Sequence, residues 1–324
     1  MAPHFLSNES KIVKVLVTCP PMLGLIDEFY PAFEKAGLIG VASNVTQVMS
    51  EEELIEILPD YDGWIIGDDP ATELVFETAK KGKLKAAVKW GVGVDNVDFK
   101  ACKKLNIPII NTPGVFGREV GDVAMNYLLG LARETFFIDR EIRQNNSWPK
   151  PSGISLWNKT VALVGFGDIG RSTAKRLLAC DLKVIAYDPY FKEDPDLTVE
   201  RAVWPNRLNE ADFIVFTCPL TKDTKHMFNM EILPHLKPGV RIVNVARGPI
   251  VDETALLKGL NDGTVYSAAL DVFEVEPLGP TSELRNFERC IFGSHNGSNT
   301  VDAVRHVSLL AIDKIAGFLE EFKN

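Results

Sequence analysis

The chain has 324 residues, of which 46% are hydrophobic and 24% charged, and its formal net charge is −9. This composition lies close to that of ordinary globular proteins and excludes a disordered, collagen-like or low-complexity chain; at roughly 100–200 residues per domain it predicts two domains. The acidic balance argues against general binding to nucleic acid or to an anionic membrane, and no apolar run approaches the ~20 residues of a membrane helix.

Residues 1–11, MAPHFLSNESK, lack the apolar core of a signal peptide and are expected to form a loose tail. Beyond them, short apolar runs at 12–17, 63–67, 85–89 and 107–110 read as buried strands, and the segments 24–36, 51–57 and 70–81 carry apolar residues at helical spacing. A long helical stretch follows at 117–145, apolar over much of its surface, then the Pro/Gly/Asn-rich NNSWPKPSG. A second set of strands is predicted at 160–165, 183–187, 212–216, 240–245, 265–271 and 290–294, with crossover helices near 169–180 and 252–261 and a last helix at 300–323. Alternating strands and helices mean parallel sheets covered on both faces, and the strands are too many for one compact sheet. The fold class is therefore α/β, with two doubly wound parallel-sheet domains. The five cysteines are scattered and show no metal-binding spacing, which fits a reduced, cytoplasmic compartment and no metal site.

Residues 160–170, TVALVGFGDIG, place Gly165, Gly167 and Gly170 in a G-x-G-x-x-G between a strand and a helix. The first glycine permits a tight turn, the second lets the backbone approach a pyrophosphate and the third lets helix and strand pack closely; the helix N-terminus offers N–H groups to phosphates. Asp188 ends the next strand, at the distance expected of a carboxylate that binds the ribose hydroxyls and repels a 2′-phosphate, which favours NAD over NADP.

Ligands of open parallel sheets sit at the carboxyl ends of strands. There the sequence carries Cys218 and Pro219, apolar enough to flank an adenine, then Ala246 and Arg247, Asp271 with Glu276 beyond it, and His295. Of the five histidines only His295 ends a strand among small residues; its titration range suits proton transfer, and both Glu276 and Asp271 are candidates for the carboxylate that orients it. The planar fork of Arg247 matches a substrate carboxylate.

In order along the chain, KWGVGVDNVD (89–98), NTPGVFGREVGDVA (111–124), LVGFGDIG (163–170), VNVARGPIVDE (243–253), ALDVFEVEP (269–277) and GSHNGSNT (293–300) resemble the D-isomer-specific 2-hydroxyacid dehydrogenases, in their phosphoglycerate dehydrogenase-like branch. The resemblance implies a Rossmann NAD-binding domain, residues 113–296, inserted into a split, flavodoxin-like substrate domain made of 1–112 and 297–324, with the linkers acting as a hinge. It further implies an NAD-dependent enzyme that interconverts a small anionic 2-keto acid and its D-2-hydroxy acid as a homodimer. Arg247 would bind substrate, His295 would be the acid/base and Glu276 its partner. Asp271 would hold the nicotinamide carboxamide, Asp168, Ile169 and Gly170 would meet the pyrophosphate, and Val92 and Gly93 would offer backbone N–H groups to the substrate carboxylate. Lys89 would either bind a second polar group of the substrate or be a surface lysine. The acidic Gly67-Asp68-Asp69, where phosphoglycerate dehydrogenases commonly carry a basic residue, weakens the case for a phosphorylated substrate. No regulatory domain is expected after Asn324. The competing reading is a non-catalytic, NAD-sensing interaction protein of the same fold, like its corepressors.

Overall fold

The computed structural model describes residues 12–322, so the expected N-terminal tail lies outside the described residues. The chain divides into two compact units: one runs up to Val115 and resumes at Asn299, and the other is Phe116–Ser298.

The first unit is built in the order β1 (Lys14–Val17), α1 (Pro20–Leu23), α2 (Ile26–Lys35), β2 (Ile39–Ala42), α3 (Glu51–Ile57), β3 (Gly63–Ile66), α4 (Glu73–Lys81), β4 (Ala86–Lys89), α5 (Phe99–Lys104) and β5 (Ile109–Asn111). The five strands form one parallel sheet in the order β2-β1-β3-β4-β5. All residues of β3 and β4 are buried, as expected where helices cover both faces of a parallel sheet. Helix starts follow the local chemistry: Ser50 and Glu53 form a reciprocal capping box on α3, and the Thr72 hydroxyl accepts from the Val75 amide on α4. The last helix, Val301–Leu319, packs on this sheet. Its Ile315 and Leu319 side chains lie so close to Gly63 that a Cβ there would approach them at 3.2 and 3.0 Å. Strand β2 carries no clear signal in the sequence, because it is an edge strand with no fully buried residue. It also contains Gly40, where an added Cβ would fall 2.5 Å from the Phe33 ring.

The second unit runs α6 (Gly117–Arg133), α7 (Thr135–Gln144), β6 (Thr160–Val164), α8 (Asp168–Ala179), β7 (Lys183–Tyr187), β8 (Glu200–Arg201), β9 (Phe213–Phe216), β10 (Val240–Asn244), α9 (Glu253–Asp262), β11 (Val265–Leu270) and β12 (Ile291–Phe292). Its seven parallel strands are ordered β12-β11-β10-β9-β6-β7-β8. The strand order reverses between β6 and β9, so the loops after these two strands flank the crevice where such sheets take their ligands.

The predicted long helix at 117–145 is in fact two helices. Glu134 adopts a left-handed backbone conformation (φ 56°) between α6 and α7. Its carboxylate, almost fully buried, accepts from the Tyr266 hydroxyl (2.5 Å) and pairs with Arg289 (3.3 Å). The break is thus set by residues remote in sequence, and helix propensity alone does not reveal it.

Candidate active site

The glycine loop after β6 divides its demands among three positions. Gly165 has φ 97°, and a Cβ there would sit 2.7 Å from the Cys218 amide nitrogen; on Gly170 it would sit 2.2 Å from the Gly165 carbonyl oxygen. Both glycines are therefore required by the fold itself. A Cβ on Gly167 would meet nothing within 4 Å, so that glycine guards open space at the start of α8. Gly167 caps α8 without any side-chain hydrogen bond, which leaves the first amides of the helix to a ligand. Asp168 and Ile169 open the helix, with the Asp168 carboxylate lying against Gly117.

Asp188, at the end of β7, accepts from the amides of Phe166 and Tyr190, both at 2.7 Å, so its carboxylate stands directly on the glycine loop. Across the strand-order reversal, Cys218 is buried and Pro219 exposed. Burial pushes the Cys218 thiol up to about 12, which keeps it protonated and makes it an uncharged wall. The open space at Gly167, the uncapped helix and the Asp188 carboxylate beside the loop together fit a dinucleotide.

Arg247 follows β10 in a turn clasped by Asn244, whose side chain accepts from the Ala246 amide (3.1 Å) and donates to the Arg247 carbonyl (2.9 Å). One guanidinium nitrogen of Arg247 donates to the Ala246 carbonyl at 2.9 Å. His295 lies beyond β12 with φ 55°, its amide donating to the Asp271 carbonyl at 2.7 Å. Its Nδ1 is 2.7 Å from Glu276 Oε2, while Glu276 Oε1 accepts from the Phe273 amide at 2.9 Å. The ring and its carboxylate partner are each about one quarter exposed.

The two acids left open by the sequence thus take different places. Glu276 meets the imidazole. Asp271 is buried and binds the backbone of the histidine loop, accepting from Gly297 (2.8 Å) and Asn296 (3.3 Å), and from the Tyr127 hydroxyl (3.1 Å). Burial and the Asp271 charge push the Tyr127 phenol well above its ordinary range, so it remains a donor. Sequence reasoning missed Tyr127, which lies 144 residues from Asp271 with nothing local to mark it. It also missed Asn244, although Asn244 stands within the motif that carries Arg247.

In the first unit, Lys89 is buried at the end of β4, which corrects the surface-lysine alternative. Its ammonium donates to the Gly67 carbonyl (2.5 Å) and pairs with Asp68 (3.0 Å), because β3 and β4 are adjacent and both loops leave at the same sheet end. The following loop is pinned by the Thr112 hydroxyl, which accepts from the Gly91 amide (2.7 Å), and by Asn111, which donates to the Val92 carbonyl (3.0 Å). Neither bond uses the amides of Val92 or Gly93. Among the described residues no helix is long and apolar enough to cross a membrane.

Comparison with known proteins shows the family. A family profile for the D-isomer specific 2-hydroxyacid dehydrogenase, NAD binding domain, matches residues 125–297. The chain is 38% identical over 274 residues to a hydroxypyruvate reductase of Thermotoga maritima, covering 82% of this chain and 88% of that protein. It is 35% identical over 277 residues to a chloroplastic D-3-phosphoglycerate dehydrogenase of Arabidopsis thaliana, covering 84% of this chain but only 44% of the longer relative. The crystal structure of the TT0316 protein from Thermus thermophilus superposes with a TM-score of 0.84 at 29% identity, covering 95% of this chain and 97% of the other. With both parallel sheets and the NAD-binding signature in place, the chain belongs to the D-isomer-specific 2-hydroxyacid dehydrogenases, NAD-dependent oxidoreductases.

Proposed function

We propose that this enzyme interconverts a small, unphosphorylated 2-keto acid and its D-2-hydroxy acid, with His295 as acid/base, Glu276 as its partner and Arg247 as the substrate-binding cation. The observation that carries the reading is the 2.7 Å contact between His295 Nδ1 and Glu276, made by a carboxylate whose other oxygen is held by the Phe273 amide. With Nδ1–H donating to Glu276, the proton that exchanges with substrate belongs to Nε2. The nicotinamide, when bound, supplies or accepts the hydride. Gly165, Gly167, Asp168, Ile169 and Gly170 would hold its pyrophosphate, Asp188 its ribose, Cys218, Pro219 and Ala246 the surroundings of its rings, and Asp271 the carboxamide.

During reduction, protonated His295 gives its proton to the developing alkoxide. Arg247 binds the substrate carboxylate and offsets the negative charge growing on the keto oxygen. In oxidation the neutral ring takes the proton back. The amides of Val92 and Gly93 would take the substrate carboxylate, since a glycine-rich turn lets the main chain approach an anion. Lys89 would meet the substituent beyond the keto carbon. Because Asp68 already offsets its charge, that position favours a hydroxyl over a phosphate, in keeping with the hydroxypyruvate reductase relative.

The pairing of His295 with Glu276 has a direct test. Glu276→Gln removes the charge that favours the protonated ring, so the loss of reduction activity with rising pH is expected to begin at lower pH. Rate profiles for wild type and variant measure this, and an unmoved profile would remove Glu276 from the mechanism.

A further inference from the structure

A second histidine–carboxylate pair stands two residues from Glu276. His226 Nε2 lies 2.5 Å from Glu274 Oε1, and the Glu274 amide donates to Glu253 Oε1 at 2.9 Å. Glu253 is the first residue of α9. The His226 backbone reaches a different segment, its amide donating to the Pro249 carbonyl at 2.8 Å, and Phe228 continues that pairing to Ile250. His226 therefore ties the turn that begins at Arg247 to the loop that ends at Glu276.

The two segments also touch directly. A Cβ on Gly248 would fall 1.8 Å from the Phe273 carbonyl oxygen and 2.5 Å from the Glu274 nitrogen, so Gly248 allows the backbone after Arg247 to lie flat against the backbone before Glu276. Phe273, in that same contact, gives its amide to Glu276 Oε1. His226 holds φ 52°, a conformation that a non-glycine residue keeps only where its surroundings hold it.

We infer that His226, Glu274 and Glu253 are positioning residues for the reaction, a clamp that fixes the Glu276 loop against the Arg247 turn and so aligns the carboxylate that orients His295. The inference rests on the role given to Glu276 above. Glu253 and Glu274 are like charges at close range. Burial holds the Glu253 carboxyl above its usual range, the Glu274 amide opposes this and the Glu274 charge adds to it. The imidazole of His226 supplies the Glu274 carboxylate with a donor beside that acid. A catalytic group displaced by a fraction of an ångström loses rate without any loss of cofactor contact.

The test is a set of variants read in two backgrounds. His226→Leu removes the donor. His226→Gln keeps an N–H near the Nε2 position and bears the same left-handed backbone as Leu, so comparing the two separates the hydrogen bond from backbone strain. In the wild-type background His226→Leu is expected to lower kcat for keto-acid reduction about ten-fold, the order expected for slight misplacement of a catalytic group. NADH affinity by fluorescence titration should be unchanged, and His226→Gln should recover most of the rate. In the Glu276→Ala background, which removes the acceptor that orients His295, the same Leu substitution should cost less than about two-fold, because a residue acting through Glu276 has nothing left to align. Glu274→Leu, read in both backgrounds, repeats the measurement from the acceptor side if His226→Leu does not fold. An equal loss in both backgrounds, or Gln no better than Leu, would overturn the clamp and leave the mechanism standing. An unmoved pH profile for Glu276→Gln alone would instead overturn the assignment on which the clamp depends.

Discussion

His295→Ala is expected to lower turnover in keto-acid reduction by about 10²–10⁴-fold, the range for removing a positioned general acid. Arg247→Ala should lower kcat/KM at least as far, because it removes both the partner of the substrate carboxylate and the charge facing the alkoxide. In both variants NADH should bind as in wild type, since neither side chain belongs to the glycine loop or its carboxylate neighbour. His295 makes its ring contact with Glu276, and the Arg247 fork bonds the Ala246 carbonyl. Steady-state kinetics with NADH fluorescence titration separates the two effects. Near-wild-type turnover in either variant would be incompatible with the assigned roles.

The glycine loop gives a second prediction, in which two substitutions of the same kind act differently. In Gly170→Ala the new methyl would lie 2.2 Å from the Gly165 carbonyl, a main-chain atom that moves only if the loop moves. The variant is expected to lose both NADH affinity and thermal stability, the latter by about 1–3 kcal/mol as for overpacking elsewhere. In Gly167→Ala the methyl meets no protein atom within 4 Å. Its melting temperature should stay close to wild type while NADH affinity falls at least about ten-fold, or 1.4 kcal/mol. Calorimetry and fluorescence titration on both variants would show whether Gly167 answers to the ligand and Gly170 to the fold. Equal losses of stability in the two would contradict that division.

What the sequence made legible follows from where the information lies. Strands β6 and β9 stand out because their residues are almost all buried and nearly all apolar, and β10 because Val240, Ile242 and Val243 are apolar around a buried Arg241. Strands β2 and β8 do not, because one is an edge strand broken by Gly40 and the other is a fully exposed pair of residues. The glycine loop and Asp188 are a local pattern and could be read directly. The His295–Glu276 contact spans only 19 residues and lies within two recognisable motifs. The helix break at Glu134 could not be read, because the Tyr266 hydroxyl that holds its carboxylate is 132 residues away. Nor could the pairing of His226 with Glu274, 48 residues apart, be read from the sequence. Lys89 shows the same limit: the sequence gives a lysine beside a glycine loop, and only the strand pairing of β3 with β4 shows it buried against Asp68.

The most direct test of the central claim is NADH oxidation by the purified protein with hydroxypyruvate, glyoxylate, pyruvate and phosphohydroxypyruvate, followed by chiral analysis of the products of all but glyoxylate, whose product is achiral. The account predicts oxidation with an unphosphorylated 2-keto acid, at higher kcat/KM than with phosphohydroxypyruvate, and a D-2-hydroxy acid as product. NADH binding without oxidation by any of these acids, or formation of the L-product, would contradict it.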